Sequence, residues 1–459
     1  MFYTKTFTIK TEISPAHYPK FLDFLYKYYL YPNPKINVLE FMDNFLLFKF
    51  DDIYCKIVCG EEINIELYSE HFDEEKITEI EEDLFIVVRY FEDSLKKYTL
   101  CFSWVEGQEI IPEKPPTRKE ESKGIFGNII LIYILFFGIN IVLFLLLGFY
   151  AVIFIILLQF LILLFSGYLY RWIGDWIITP KNPYVHILKY QLSEDEYKEF
   201  EKKFGKEAIV DIKKEIYNKT LGAGKPLKPE IGEKILKKYG FRCTPLYETS
   251  KTINVYEIVK KAAEKFKIPI PKIVVSNTMV ANAAATGPNT KHGLIIITTG
   301  LLAQLEHDEI LSVIGHELGH LVGKDPLVLL VIVSTEFVLR LTVLLPIVMI
   351  SPLLYIFIAM AMIFFIAKFF EAKADLLSAI YIGKPKSLAQ ALRKIGYQRL
   401  ALEREPHNKI FDWLKWDPHP PLYFRIKRLE SLKNPKKIKN PLIKSIKDVI
   451  KGFKESFTM

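Results

Sequence analysis

His316, Glu317 and His320 stand in the order His-Glu-x-x-His, within the stretch EILSVIGHELGHLVG. If that stretch is helical, residues four apart share a face. Both imidazoles then reach one metal ion, and Glu317 lies beside the water that such an ion would activate. Two neutral nitrogen ligands, a carboxylate base and an open coordination position are the parts of a zinc hydrolase. Two histidines do not complete the site. A third His, Glu or Asp must come from elsewhere, because an apolar run begins at Leu327, shortly after His320.

The run itself indicates where the third ligand lies. From Leu327 to Phe370 the only charged residues are Glu336, Arg340 and Lys368. This length suits two membrane-spanning helices joined at a turn around Ser351–Pro352. Two antiparallel spans of similar length return the chain to the face it left, beside Asp325. There the sequence reads FFEAKAD, with Glu371 and Asp375 one helical turn apart. Glu371 is the candidate third ligand. Asp375 is placed to orient a ligand histidine or to pair with an arginine. Glu336 and Arg340, four apart inside the apolar block, form either a polar path or a structural ion pair.

Other elements must carry this site. Residues 1–107 alternate and cycle like a small α+β domain, with strand-type sequence from Phe45 to Tyr68 and a helix over Asp73–Lys97. A proline-bearing linker, 108–124, precedes a first apolar block, 125–170, which contains no charged side chain and again fits two spans, turning near Gly148. Residues 179–250 read as a lysine-rich helical insertion, with SEDE at Ser193–Glu196 as a capping box. Residues 251–326 hold a helix, three short strands and a helix from Leu301 that carries the motif. They form the first part of the catalytic domain, and 371–432 form the second. Residues 433–459 are a basic amphipathic tail, which suits either an anionic membrane surface or packing on the catalytic domain. Arg118, Lys119, Lys123, Arg171, Lys324, Lys368 and Lys373 flank the outer ends of both hairpins, and neither turn is basic. Both turns are therefore expected to face outward, with all other parts cytoplasmic.

The bulk numbers agree with this plan. The chain has 459 residues, 50% of them hydrophobic, and 61 basic against 53 acidic residues. The excess charge is too diffuse for nucleic-acid binding. Its four cysteines, Cys55, Cys59, Cys101 and Cys243, form no CxxC pair and imply no disulfide framework. Cys55 and Cys59 read as ordinary strand residues rather than metal ligands. The opening MFYTKTFTIKTEI has no hydrophobic core, so no cleaved signal peptide is expected.

Four stretches in order, ANAAATG, IIITTGLLAQLEHDEILSVIGHELGH, EAKAD and HPPLYFRI, resemble those of the HtpX-type and CAAX-prenyl-protease family of integral-membrane zinc peptidases, the HtpX type more closely. The resemblance covers roughly Tyr247–Leu432 and the preceding hairpin. It implies one gluzincin-like zinc ion per chain, held by His316, His320 and Glu371, with Glu317 as base. It also implies that His419 stabilises the oxyanion and that Arg425 anchors the site through Asp375. Asn282, Ala283, Ala284, Ala285 and Thr286 would form an edge strand that holds substrate by strand addition. Ala284 replaces the phenylalanine usual in the family. The expected fold is α+β and mainly α-helical: four transmembrane helices in two hairpins, a zincin-type cytoplasmic catalytic domain and an extra N-terminal α+β domain. The expected activity is that of a multi-pass cell-membrane endopeptidase, cutting membrane or misfolded polypeptides in quality control through zinc-activated water. The alternatives are processing of prenylated proteins and, in another class, a silent scaffold with structural zinc.

Overall fold

The computed structural model describes residues 3–111 except 61 and 72, 138–169 except 140, and 174–457 except 206, 242–246 and 406–407. The chain divides into two compact units, one of 1–102, 187–251 and 397–402, the other of 103–186, 252–396 and 403–459.

In the first unit, β1 (Tyr3–Ile9), β2 (Ile36–Phe41), β3 (Phe45–Phe50), β4 (Ile53–Cys59) and β5 (Ile63–Ser69) form an antiparallel sheet of order β1–β5–β4–β3–β2. Burial alternates along β3, β4 and β5, as period-two side-chain geometry requires. The buried face shares one core with helices Tyr18–Leu25 and Glu74–Leu95, through Phe21, Leu22, Ile80, Leu84 and Phe91. Asp73 caps the second helix, accepting from the amides of Glu75 and Lys76. Cys55 and Cys59 sit in this core as strand residues. Strand β2 was not expected from the sequence, because its polar positions and a bulge at Val38/Glu40 blur the alternation.

The segment 179–250 is not wholly helical. Helices Glu194–Phe204, Glu207–Lys219 and Pro229–Lys238 are bracketed by strands. These strands, β8 (Tyr184–Gln191) and β9 (Tyr247–Asn254), form a three-stranded sheet with β6 (Thr99–Val105), in which β8 lies between β6 and β9. The β8 residues are buried almost throughout, so no alternation marks them as strand.

The second unit holds a four-stranded sheet of order β11–β12–β10–β7: β7 (Trp176–Ile178), β10 (Lys272–Ser276), β11 (Ala283–Thr286) and β12 (Leu294–Thr298). β12 runs parallel to β10, and β11 lies antiparallel at the sheet edge. The helix expected from Leu301 is two helices, Thr299–Gln304 and His307–Gly323, divided where Glu306 and Glu309 cap the second reciprocally. Next comes Asp325–Leu341, the short Leu345–Ile350, and an unbroken helix Pro352–Tyr381. The return is thus spread over residues 342–351 and not confined to Ser351–Pro352. Among the described residues, Pro352–Tyr381 is the one helix long and apolar enough to cross a membrane. Tyr150–Leu169 follows a turn at Gly148, whose φ of +53° suits a residue without a Cβ. The first helix of that expected hairpin over 125–137, the linker beyond 111, Arg118, Lys119, Lys123, Arg171 and Cys243 lie outside the described residues.

The tail forms helix Pro441–Glu455, with Ser445, Val449 and Gly452 buried, and Val449 clusters with Ala372 and Trp413. Leu442, Ile443 and Ile450 of the expected apolar face are exposed beside this packing. Glu336 pairs with Arg340, one turn along the same helix, at 3.3 Å, and accepts from Tyr355 of the following helix at 2.9 Å.

Candidate active site

The motif helix His307–Gly323 and the return helix Pro352–Tyr381 pack closely because glycine lines their crossing. A Cβ on Gly319 would stand 3.1 Å from Ala374 Cα, and one on Gly315 would stand 2.4 Å from Ile382 Cγ1. Ser378 Oγ donates to Ser312 O at 2.7 Å across the same seam.

This approach brings Glu371 to the histidines. His316 Nε2 lies 3.4 Å from Glu371 Oε2, and His320 Nε2 lies 3.3 Å from Glu371 Oε1. The two Nε2 atoms are 3.3 Å apart. One donor atom from each of the three residues falls within 4.8 Å of the others. Each ring is backed by a carboxylate on its far nitrogen. Asp375 Oδ1 is 2.9 Å from His316 Nδ1, and Asp325 Oδ2 is 3.0 Å from His320 Nδ1. Asp325, hydrogen-bonded to His320, favours the tautomer with Nδ1 protonated and turns that Nε2 lone pair toward the common centre, while Asp375 faces His316 Nδ1 at ion-pair distance without a hydrogen bond. Glu371 Oε2 is buried with no hydrogen-bond donor. Two inward nitrogens and an orphaned carboxylate oxygen fit a zinc ion, whose ligands are nitrogen and oxygen atoms of this kind.

The electrostatics follow from the crowding. Burial opposes charge on His316, but Asp375 and Glu371 outweigh it and hold its pKa above the ordinary value. His320 is raised further, burial being overcome by Glu371 and Asp325. Burial also lifts Glu317 above the usual carboxylate range, against the two histidines. Glu317 Oε2 accepts the amide of Ala285, on β11, at 2.9 Å.

Arg425, buried on helix Leu422–Glu430, donates to both oxygens of Asp375 at 2.7 and 2.9 Å. His419 Nε2 comes within 3.5 Å of Glu371 Oε2, and its Nδ1 and amide contact Asp417 Oδ1 at 2.8 Å. Asn282 precedes β11: it pairs with Thr298, its amide donating to Oγ1 and its carbonyl accepting from the amide. Ala283, Ala284, Ala285 and Thr286 form the strand. Sequence reasoning assigned no role to Asp325, and it treated Lys373 as a flanking charge. Both are buried, Lys373 donates to Asp325, and so the pair stands behind His320. The one available signal was an acid directly before a stretch almost free of charge.

The model of peptidase family M48 matches residues 249–433, which include every residue of this cluster. A protease HtpX homolog of Caldanaerobacter subterraneus is 31% identical over 217 residues, covering 39% of this chain and 71% of the relative. The chain belongs to peptidase family M48. It is an HtpX-like member of that metallopeptidase family. Homologs from Paenarthrobacter aurescens, 32% identical across 39% of this chain and 72% of theirs, and from Thermodesulfovibrio yellowstonii, 29% identical across 39% and 75%, support the same assignment. The solved structure of S. mikatae Ste24p is similar at a TM-score of 0.30 with 19% identity, over 38% of this chain and 49% of that one. The M48 match leaves out residues 1–248, which include β1–β5 and the helices after β8.

Proposed function

We propose that this M48 chain is a membrane-bound zinc endopeptidase that cuts polypeptides, membrane or misfolded proteins among them, at the cytoplasmic face. The convergence of His316, His320 and Glu371, with a carboxylate behind each ring, carries the reading. The named proteases among its relatives support the reaction class. The apolar helix Pro352–Tyr381 and the uncharged block 125–170 support the location.

Bound zinc would act as Lewis acid and lower the pKa of water. The chain supplies the rest. Glu317, raised by burial and steered by the Ala285 amide, takes a proton from the attacking water and passes it to the leaving amine. His419, 43% exposed at its side chain, is open to substrate and serves the developing oxyanion. Asn282 pairs toward Thr298 while Ala285 donates to Glu317, so the alternation of an antiparallel ladder aims the amides and carbonyls of Ala283 and Ala285 away from β12. An extended substrate adds there by backbone hydrogen bonds, which suits unfolded chains of many sequences.

The test is purification in detergent, zinc quantification, and cleavage of an unfolded model protein by wild type and by Glu317→Gln. The expected result is one zinc in each, with cleavage lost in the variant. Zinc retained in a wild type that cleaves nothing would favour the scaffold. Glu371→Ala should lose its zinc, and full zinc content there would refute the ligand set.

A further inference from the structure

Lys368 is fully buried in the return helix, one turn before Glu371. Its ammonium donates to two backbone carbonyls, Asp417 O at 2.5 Å and Lys415 O at 3.3 Å. These belong to the loop that presents His419. The amide of Asp417 donates to Lys415 O at 2.8 Å, closing a tight turn, and the Asp417 carboxylate then accepts from the His419 amide and contacts its Nδ1. Trp416, in the same loop, packs on Phe357 of the return helix with ring centroids 5.6 Å apart. Lys368, Glu371 and Asp375, spaced three and four apart, lie on one stripe of that helix. Along it Lys368 reaches the loop of His419, Glu371 lies against all three histidines, and Asp375 takes Arg425.

Burying an ammonium costs free energy unless its donors are satisfied. A methionine would fill the same volume without that cost. We infer that Lys368 is a positioning residue: it fixes the 415–419 turn so that Asp417 holds His419 over the carboxylate of Glu371. This rests on the proposed peptidase reading, in which His419 meets the oxyanion.

The full chain in detergent tests it with Lys368→Met, in the wild-type and the His419→Ala backgrounds. Two readouts are used: cleavage of an unfolded model protein, and hydrogen exchange of the amides in 410–421. In the wild-type background kcat is expected to fall roughly ten-fold, a fraction of the ~10²–10³ that loss of an oxyanion donor costs. KM and zinc content stay within two-fold, and exchange in 410–421 quickens. With His419 already removed, Lys368→Met changes kcat by less than two-fold, since the two act through one group. Equal losses in both backgrounds, or unchanged exchange, would overturn the inference. Lys368→Gln, which keeps an amide donor but shortens the reach, replaces the methionine variant if that does not fold. If the wild type neither holds zinc nor cleaves, the peptidase reading fails, and the exchange data still decide whether Lys368 fixes the turn.

Discussion

Arg425 grips Asp375 with two buried hydrogen bonds, Nε to Oδ2 at 2.9 Å and Nη2 to Oδ1 at 2.7 Å, while Asp375 stands 2.9 Å from His316. A bidentate pair fixes the carboxylate plane as well as its charge. Removing the guanidinium leaves that carboxylate buried with only the His316 ring beside it. Arg425→Met is expected to destabilise the protein by about 3 kcal/mol and to weaken zinc binding roughly 10–100-fold. Arg425→Lys should restore little, because an ammonium cannot bridge both oxygens. Chemical denaturation and competition with a zinc chelator measure the two effects. A methionine variant with wild-type zinc affinity would show that Asp375 orients His316 unaided.

Gly319 lets the motif helix approach the return helix. Its added Cβ would press on backbone, 3.1 Å from Ala374 Cα and 3.3 Å from its carbonyl oxygen. Gly319→Ala should raise helix propensity by about 1 kcal/mol yet still lose stability, because the crossing cannot close. Thermal unfolding gives the sign. A stabilised variant would mean that the helices yield at no cost.

Under the proposed strand addition, the backbone groups of Ala283 and the carbonyl of Ala285, turned away from β12, would receive the substrate. Proline is tolerated at an edge position whose N–H faces outward. Ala283→Pro should therefore keep zinc and fold, and raise KM several-fold with little change in kcat, the sign of lost uniform binding. Ala285→Pro also frees Glu317 and should lower kcat. Steady-state cleavage kinetics separate them, and an unchanged KM in Ala283→Pro would argue against strand addition.

Burial pushes the Cys59 thiol up to about 12 and raises Cys55 as well. The thiolate is the reactive form, so at pH 8 Cys59 holds only about one part in ten thousand of it. Iodoacetamide should modify neither cysteine in the native protein and both after denaturation. Mass spectrometry of the β4 peptide reads this out, and native labelling at Cys59 would show that the sheet opens.

The convergence of His316, His320 and Glu371 was legible because local rules carry it. The spacing of His316, Glu317 and His320 follows from the helical repeat alone, and Glu371 from the length of the apolar block that returns the chain. Alternation exposed β3, β4 and β5 but not β2 or β8, where one strand has a bulge and the other is buried along nearly its whole length. What the sequence could not supply were contacts made by long-range packing. The expected flanking charges Lys368 and Lys373 are buried instead, one holding a loop and the other neutralising Asp325.

By itself, then, the sequence determined which residues could bind and activate, since residue type and helical period depend on neighbours a few positions away. Only the tertiary structure decided that Asp325 stands behind His320, that the Ala285 amide holds Glu317, and that His316 is the histidine backed by the expected Asp375–Arg425 pair. Those partners lie between five and more than a hundred residues from the groups they hold. They meet because glycine at 315 and 319 lets two helices pack closely and because strand pairing fixes the edge of a sheet. Neither is set by local periodicity.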